Sequence, residues 1–278
     1  SVNGWSAYQM LFMGDNGETD AAYEGIFPLL QDGLKTTSWC TTLFLLASTY
    51  DQDMHANPNN PKATNGTDQA WGGNRARPDL VKKFFPNGNV PNLESYATAE
   101  AAGDDRALFC GVNRTLDNED VSTFKSGFGV AKFTNFKTDG SAGHDATFPD
   151  ADFFLMRAAE AYLNFAEADA RLNGGETTAE GTAAINAIRK RAKASTRPED
   201  KSYSLNDICD EWSREFYFEG RRRMDLIRFN RYGGNVNYNW QWKGGTKEGR
   251  NFSKDLNIFA IPTNELTSNK NLIQNPGY

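Results

Sequence analysis

Between residues 150 and 232 apolar and polar positions recur with helical spacing, in segments separated by short Gly- and Pro-containing stretches. In the first segment Phe154, Ala158, Ala161, Phe165, Ala168 and Leu172 follow steps of four and three, which places them on one helical stripe. Arg157, Glu160, Asn164, Glu167 and Arg171 take the opposite stripe. The pattern predicts an amphipathic helix with the first stripe inward and the second in solvent. Glu167 stands four residues before Arg171, the favourable order for an ion pair. Asn173-Gly174-Gly175 ends this helix, and Thr177 with Glu180 reads as the capping box of the next, whose Ala184, Ile185, Ile188 and Ala192 share one side. The two form a hairpin. After Pro198 a third helix starts near Ser204, capped with Asp207, and carries Ile208, Trp212 and Phe216 at steps of four. Gly220 breaks it, and a short fourth helix turns Met224 and Ile227 inward. Two successive helix pairs predict tetratricopeptide-like packing, in degenerate form because the pairs are spaced by more than the ~34 residues of that repeat.

Upstream the pattern is irregular. YQMLFM (8–13) reads as an entering strand, and TTLFLLASTY (41–50) as either a buried strand or a short helix, between which periodicity does not decide. Residues 51–73 are dense in Asn, Pro, Gly and Asp, and a loop of that length in a compact domain is usually functional or disordered. Pro78 opens a short helix, and strands at 107–112 and 129–136 predict a small sheet. A Gly/Asn/Trp-rich loop after Tyr232 leads to LNIFAIP, an extended arm. The fold class is mainly α: tetratricopeptide-like helix pairs with an irregular, loop-rich segment and a few short strands. Residues 1–149 form the loop-rich segment and residues 150–278 the helical scaffold, together one domain.

Composition narrows the function. Aromatic residues make up 13% of a chain that is only 38% hydrophobic, which suits exposed stacking platforms as well as a core. A net charge of -6 argues against nucleic acid, which needs a positive field. Cys40, Cys110 and Cys209 form no CxxC pair and read as buried thiols. No apolar run approaches the ~18 residues of a membrane span, and these residues contain no signal peptide or lipobox. The only histidines, His55 and His144, lie in predicted loops, and no HExxH, GxSxG or P-loop occurs. Nothing here reads as an enzyme.

The wording AEAYLNFAEADARLNGG, then AAINAIRKRA, REFYFEGRRRMDLIRF and a closing FAIPTNELTSNKNLIQNPGY, resembles the SusD/RagB family. The resemblance implies a non-catalytic glycan-binding lipoprotein on the outward-facing surface of the outer membrane, which captures oligosaccharide and passes it to a SusC-like TonB-dependent transporter. Starch-like α-glucan is the favoured ligand. Such proteins run to roughly twice this length, so the chain corresponds to the C-terminal half or so, with the lipid anchor outside it. The alternative from another class is a helical-repeat protein-interaction scaffold with no sugar contact in this segment.

A sugar ring stacks its C–H face on an aromatic ring and hydrogen-bonds through its rim, so oligosaccharide sites pair exposed Trp or Tyr with Asn, Asp, Arg or Lys. Tyr50 and Trp71 border the polar loop, where similar starch-binding proteins contribute stacking rings; Asn74 and Arg75 follow as hydroxyl partners. Trp240 and Trp242 are a second candidate. Arg221, Arg222 and Arg223 lie among Glu215, Glu219 and Asp225 at helical spacing, which favours a salt-bridged face over a phosphate site. Asp150 and Asp152, two apart, project to one side of an extended segment. They serve either as helix caps or, as the resemblance implies and the oxygen-rich residues 14–20 permit, as calcium ligands. No other cofactor is required.

Overall fold

The computed structural model describes residues 1–54, 64–234, 237–242 and 245–278. They form two compact units, Ser1–Glu215 and Phe216–Tyr278. The first unit begins with a helix, α1 (Ala7–Met10), where the apolar run predicts a strand. Ser6 decides this: its hydroxyl accepts the Gln9 N–H while the Gln9 side chain accepts the Ser6 N–H, a reciprocal capping box. A 3-10 turn (Asp20–Glu24) leads into β1 (Gly25–Leu29), and residues 41–50 resolve as a helix, α2 (Thr42–Ser48), that buries Leu43, Leu46 and Ala47. Next come α3 (Pro78–Lys82), with proline in its first turn, and α4 (Ser95–Ala102). The expected small sheet exists but is short: β2 (Phe109–Cys110) pairs antiparallel with β3 (Gly129–Val130). A second two-stranded sheet joins β1 to β4 (Phe153–Arg157), with Leu29 opposite Phe153 and Gly25 opposite Arg157. That pairing crosses the division expected at residue 149/150, which therefore falls inside the first unit.

The helices α5 (Ala158–Leu172), α6 (Ala179–Arg191) and α7 (Leu205–Phe216) follow as predicted. The second unit contains α8 (Arg222–Arg228), a 3-10 turn (Lys254–Asn257) and α9 (Thr263–Ser268). The fold is mainly α with a few short strands.

The buried stripe of α5 is not the one the pattern predicts. Phe154 belongs to β4, and the helix buries Ala159, Leu163, Ala166, Glu167 and Ala170 while Phe165 is 52% and Leu172 87% exposed. Glu167 explains the rotation: its carboxylate accepts the Trp212 indole N–H at 2.9 Å and pairs with Arg171, so a polar residue from the expected outer face turns inward. Ile26, Phe27, Leu30, Leu155 and Met156 are exposed as well, giving this unit an apolar outer surface. Between α5 and α6, Gly175 takes φ +102° and donates its N–H to the Ala170 carbonyl. The cap of α6 is Thr178 rather than Thr177, whose hydroxyl accepts the Tyr203 N–H instead. The Ser204–Asp207 cap of α7 is present in both directions. In α8 the inward residues are Asp225 and Leu226, and Met224 is exposed. Buried Asp225 draws Arg221 and Arg228 to it and so fixes the rotation.

A cluster of buried charges joins these elements. Glu211 and Glu215 project from α7. Arg157 at the end of β4 reaches Glu215 at 2.6 Å and Glu24 at 3.0 Å, and Arg191 at the end of α6 meets the same two carboxylates. Arg106 binds Glu211 at 2.7 Å, Glu215 at 3.2 Å and Asp104 at 2.8 Å. The Glu215 carbonyl, left without a helical donor at the end of α7, accepts from the Tyr8 hydroxyl at 2.8 Å and from Arg157 at 2.9 Å. Burial opposes ionisation of Glu215, but Arg191, Arg157 and Arg106 more than reverse it and hold the carboxyl well below its ordinary value of 4.5. A carboxylate held this way stabilises the fold fully above pH 4.5 and loses that contribution as pH falls further. Glu215→Gln is expected to cost about 3–5 kcal/mol at neutral pH, by stranding buried guanidinium groups, and to flatten the acid side of the stability profile. Urea unfolding from pH 3 to 7 checks this, and a variant as stable as the parent would show that the cluster contributes nothing.

Candidate functional site

The segment carrying Trp71 is laced onto the end of α2. Trp71 donates its backbone N–H to the Ala47 carbonyl at 2.8 Å, Gly72 to Tyr50 at 2.7 Å and Asn74 to Ser48 at 2.9 Å. Gly72 takes φ +68° to make this turn. Asn65, fully buried, supports the loop from beneath: its amide donates to the Leu46 and Gln69 carbonyls, and its side-chain oxygen accepts from the Thr67 N–H. Residues 55–63 of the expected loop, His55 among them, lie outside the described residues.

On this support the Trp71 ring is 44% exposed. Trp39, 58% exposed, stacks beside it with ring centres 6.3 Å apart and planes at 28°. Phe44 on α2 tilts against Trp71 at 6.5 Å, and Phe148 meets Trp39 edge-on at 5.4 Å. The rim is polar. The Trp71 indole N–H donates to Gln69 Oε1 at 2.8 Å, Gln69 Nε2 donates to Asp68 at 2.7 Å, and the Thr147 hydroxyl donates to the same carboxylate at 2.9 Å. The result is an aromatic ledge edged with hydrogen-bonding groups, the chemistry that stacks and orients a polyhydroxylated ring.

Tyr50 is not on it. At 3% exposure its ring is sealed in a core cluster with Met54, Cys110 and Ala131, against which Ala70, Val112 and Phe124 pack. Asn74 and Arg75 lie next to the ledge but act as fasteners: Asn74 Nδ2 donates to the Ser48 hydroxyl at 2.9 Å, and Arg75 gives its guanidinium to the carbonyls of Asp120 and Thr123. Trp39 and Phe44 escaped the sequence reading. The available signals were a lone indole in the polar run KTTSWCTT and a phenylalanine on the outer face of an otherwise buried helix. Trp240 is packed, its N–H donated to the Tyr232 carbonyl at 3.0 Å and its ring edge-on to Tyr232 and Tyr238. Arg223 likewise spends its guanidinium on the carbonyls of Leu256 and Asn257, over the ring of Phe259.

Asp150 and Asp152 cap no helix. α5 begins at Ala158 with Arg157 before it, and the two carboxylates instead line a cavity of about 310 Å³ together with Glu18, Gln31, Asp32 and His144. Asp150 accepts the His144 backbone N–H at 3.1 Å, with His144 Nδ1 2.8 Å and Lys137 Nζ 3.7 Å away. Asp152 accepts the Gln31 N–H at 2.7 Å. Burial pushes both carboxyls up, and the nearby charge of Glu18 adds to it. Among the described residues no three Asp, Glu, His or Cys side chains converge as metal ligands. A calcium ion here would need backbone, amide and water oxygens to complete its six to eight donors.

The chain is similar to known proteins along most of its length. The profile of the SusD family matches residues 102–278. The starch-binding protein SusD of Bacteroides thetaiotaomicron is 36% identical over 303 residues, an alignment covering 98% of this chain and 52% of that protein. A solved SusD-like protein from Bacteroides fragilis superposes with a TM-score of 0.64 at 18% identity, over 100% of this chain and 58% of the other. The surface glycan-binding protein A of Bacteroides thetaiotaomicron, solved with laminarihexaose, gives 0.55 at 20% identity, over 91% of this chain and 52% of the other. The chain thus spans about half the length of the relatives it matches.

The two predicted rings should separate in stability measurements. Tyr50→Ala is expected to cost about 3–5 kcal/mol through the cavity it opens, and Trp71→Ala about 1 kcal/mol or less. Chemical denaturation of both variants decides it, and equal losses would contradict the placement of either ring.

Proposed function

Because this chain belongs to the SusD family, we propose that it is part of a non-catalytic, cell-surface glycan-binding protein. The exposed Trp39–Trp71 pair carries the reading. Two adjoining indoles present more flat apolar area than one sugar ring covers, which suits an oligosaccharide, and their 28° inclination follows a chain that curves. Starch-like α-glucan is the favoured ligand, in line with the 36% identical relative. In this proposal the glycan passes to a SusC-like TonB-dependent transporter, and the protein is held at the outer membrane by a lipid anchor outside these residues. No helix among the described residues is long and apolar enough to cross a membrane. A second reading, a scaffold that packs against further polypeptide, is favoured by the apolar outer surface of Phe27, Leu155 and Phe165.

Calorimetric titration with maltoheptaose and laminarihexaose tests the first reading. Each buried ring face contributes about 1 to 3 kcal/mol, so Trp39→Ala and Trp71→Ala should each weaken binding roughly five- to hundredfold. Absence of heat with every glycan would leave polypeptide contact as the function of this segment.

We also propose that Asp150 and Asp152 bind calcium, which would offset the cost of burying their charges and the nearby charge of Glu18. Metal then competes with protons, so the rise in melting temperature that calcium produces should shrink as pH falls through the raised pKa values of the pair, and Asp152→Asn should abolish it. A parent protein whose melting is indifferent to calcium at neutral pH would refute the site.

A further inference from the structure

The ledge is assembled from separate pieces of chain, and one polar relay connects them. Trp39 and Phe44 come with the entry to α2, Trp71 from the loop laced onto its end, and Phe148 from the segment before β4. The Trp71 indole N–H donates to Gln69, Gln69 donates onward to Asp68, and Asp68 accepts the Thr147 hydroxyl, while the Asp68 backbone N–H donates to the Ala146 carbonyl at 2.7 Å. An indole on a loop would otherwise rotate about two side-chain torsions. Its single donor is the only polar group that can select one orientation.

We propose that Gln69 is a positioning residue for the ledge: it sets the plane of the Trp71 indole, and through Asp68 and Thr147 it keeps that ring in register with Trp39 and Phe148. This rests on the reading of the ledge as a glycan platform, but the ring geometry itself can be measured without sugar. Gln69 uses both ends of its amide, the oxygen toward the indole and the nitrogen toward the carboxylate. Gln69→Leu removes both contacts. Gln69→Glu keeps the acceptor for the indole but sets a carboxylate against Asp68. The double variant Asp68→Asn/Gln69→Glu exchanges acid and amide and restores every donor–acceptor pair, with the asparagine oxygen still able to accept from Thr147.

The test is the exciton signal of the coupled indoles in circular dichroism near 230 nm, with Trp39→Phe defining its complete loss. Gln69→Leu and Gln69→Glu should both lose most of the signal at unchanged melting temperature, and the double variant should recover it. With maltoheptaose, the single variants should bind about three- to tenfold more weakly, the range expected for one neutral hydrogen bond. Retention of the signal in Gln69→Leu, or failure of the double variant to recover what Gln69→Glu loses, would overturn the proposal. A parent protein that shows the signal but binds no glycan would leave the positioning role intact and defeat the function assigned to the ledge.

Discussion

The constraint on which the first unit depends is the neutralisation of charge inside it. Glu211, Glu215, Arg106 and Arg157 have lost almost all contact with water, and taking such groups out of solvent costs several kcal/mol each unless their partners are in place. The partners come from widely separated parts of the sequence: Glu24 before β1, Asp104 after α4, Arg157 at the end of β4, Arg189 and Arg191 at the end of α6. Apolar contact alone would define their arrangement poorly, because α5 faces the interior largely with alanine. Carboxylates that accept from fixed guanidinium forks allow one register and penalise neighbouring ones.

This interior positions the surface by two routes. Arg157 fixes the end of β4, whose pairing with β1 orients the segment from Phe148 to Asp152 just before it. Arg106 fixes the chain entering β2. From there the Ala131 N–H donates to Leu108 and the Val130 N–H to Thr49, so the end of α2, and with it the lacing of Trp71, is referred to the same charges. Aromatic ledge and acidic cavity thus share one foundation. They also share a segment, since Phe148 and Asp150 are two residues apart.

The helical frame was legible because α5, α6 and α7 announce themselves by period and, at Ser204 and Asp207, by cap. Their rotation was less so. Glu167 and Arg157 look like solvent residues, and partners remote in sequence, Trp212 and Glu215, help make their burial tolerable. Spacing placed Asp150 and Asp152 on one side correctly, but the helix they would have capped starts later. Tyr50 was misplaced because a ring at the border of a polar loop has two sides to choose from, and burial against Met54, Cys110 and Ala131, all remote or unmarked in the local pattern, takes it to the inner one. Trp39 carries only a weak local signal, a lone indole in a polar run. It becomes part of a surface only when residue 71 is brought beside it.

Segregating the rings onto loops, away from the charged interior, has an evolutionary consequence. Trp39, Trp71 and Phe148 stand on connecting segments, and none of them takes part in the buried ion pairs. Replacements there would leave the ability to fold almost untouched. Lineages built on this plan are free to vary these positions one aromatic residue at a time, whereas drift at the arginines and glutamates beneath would be purged.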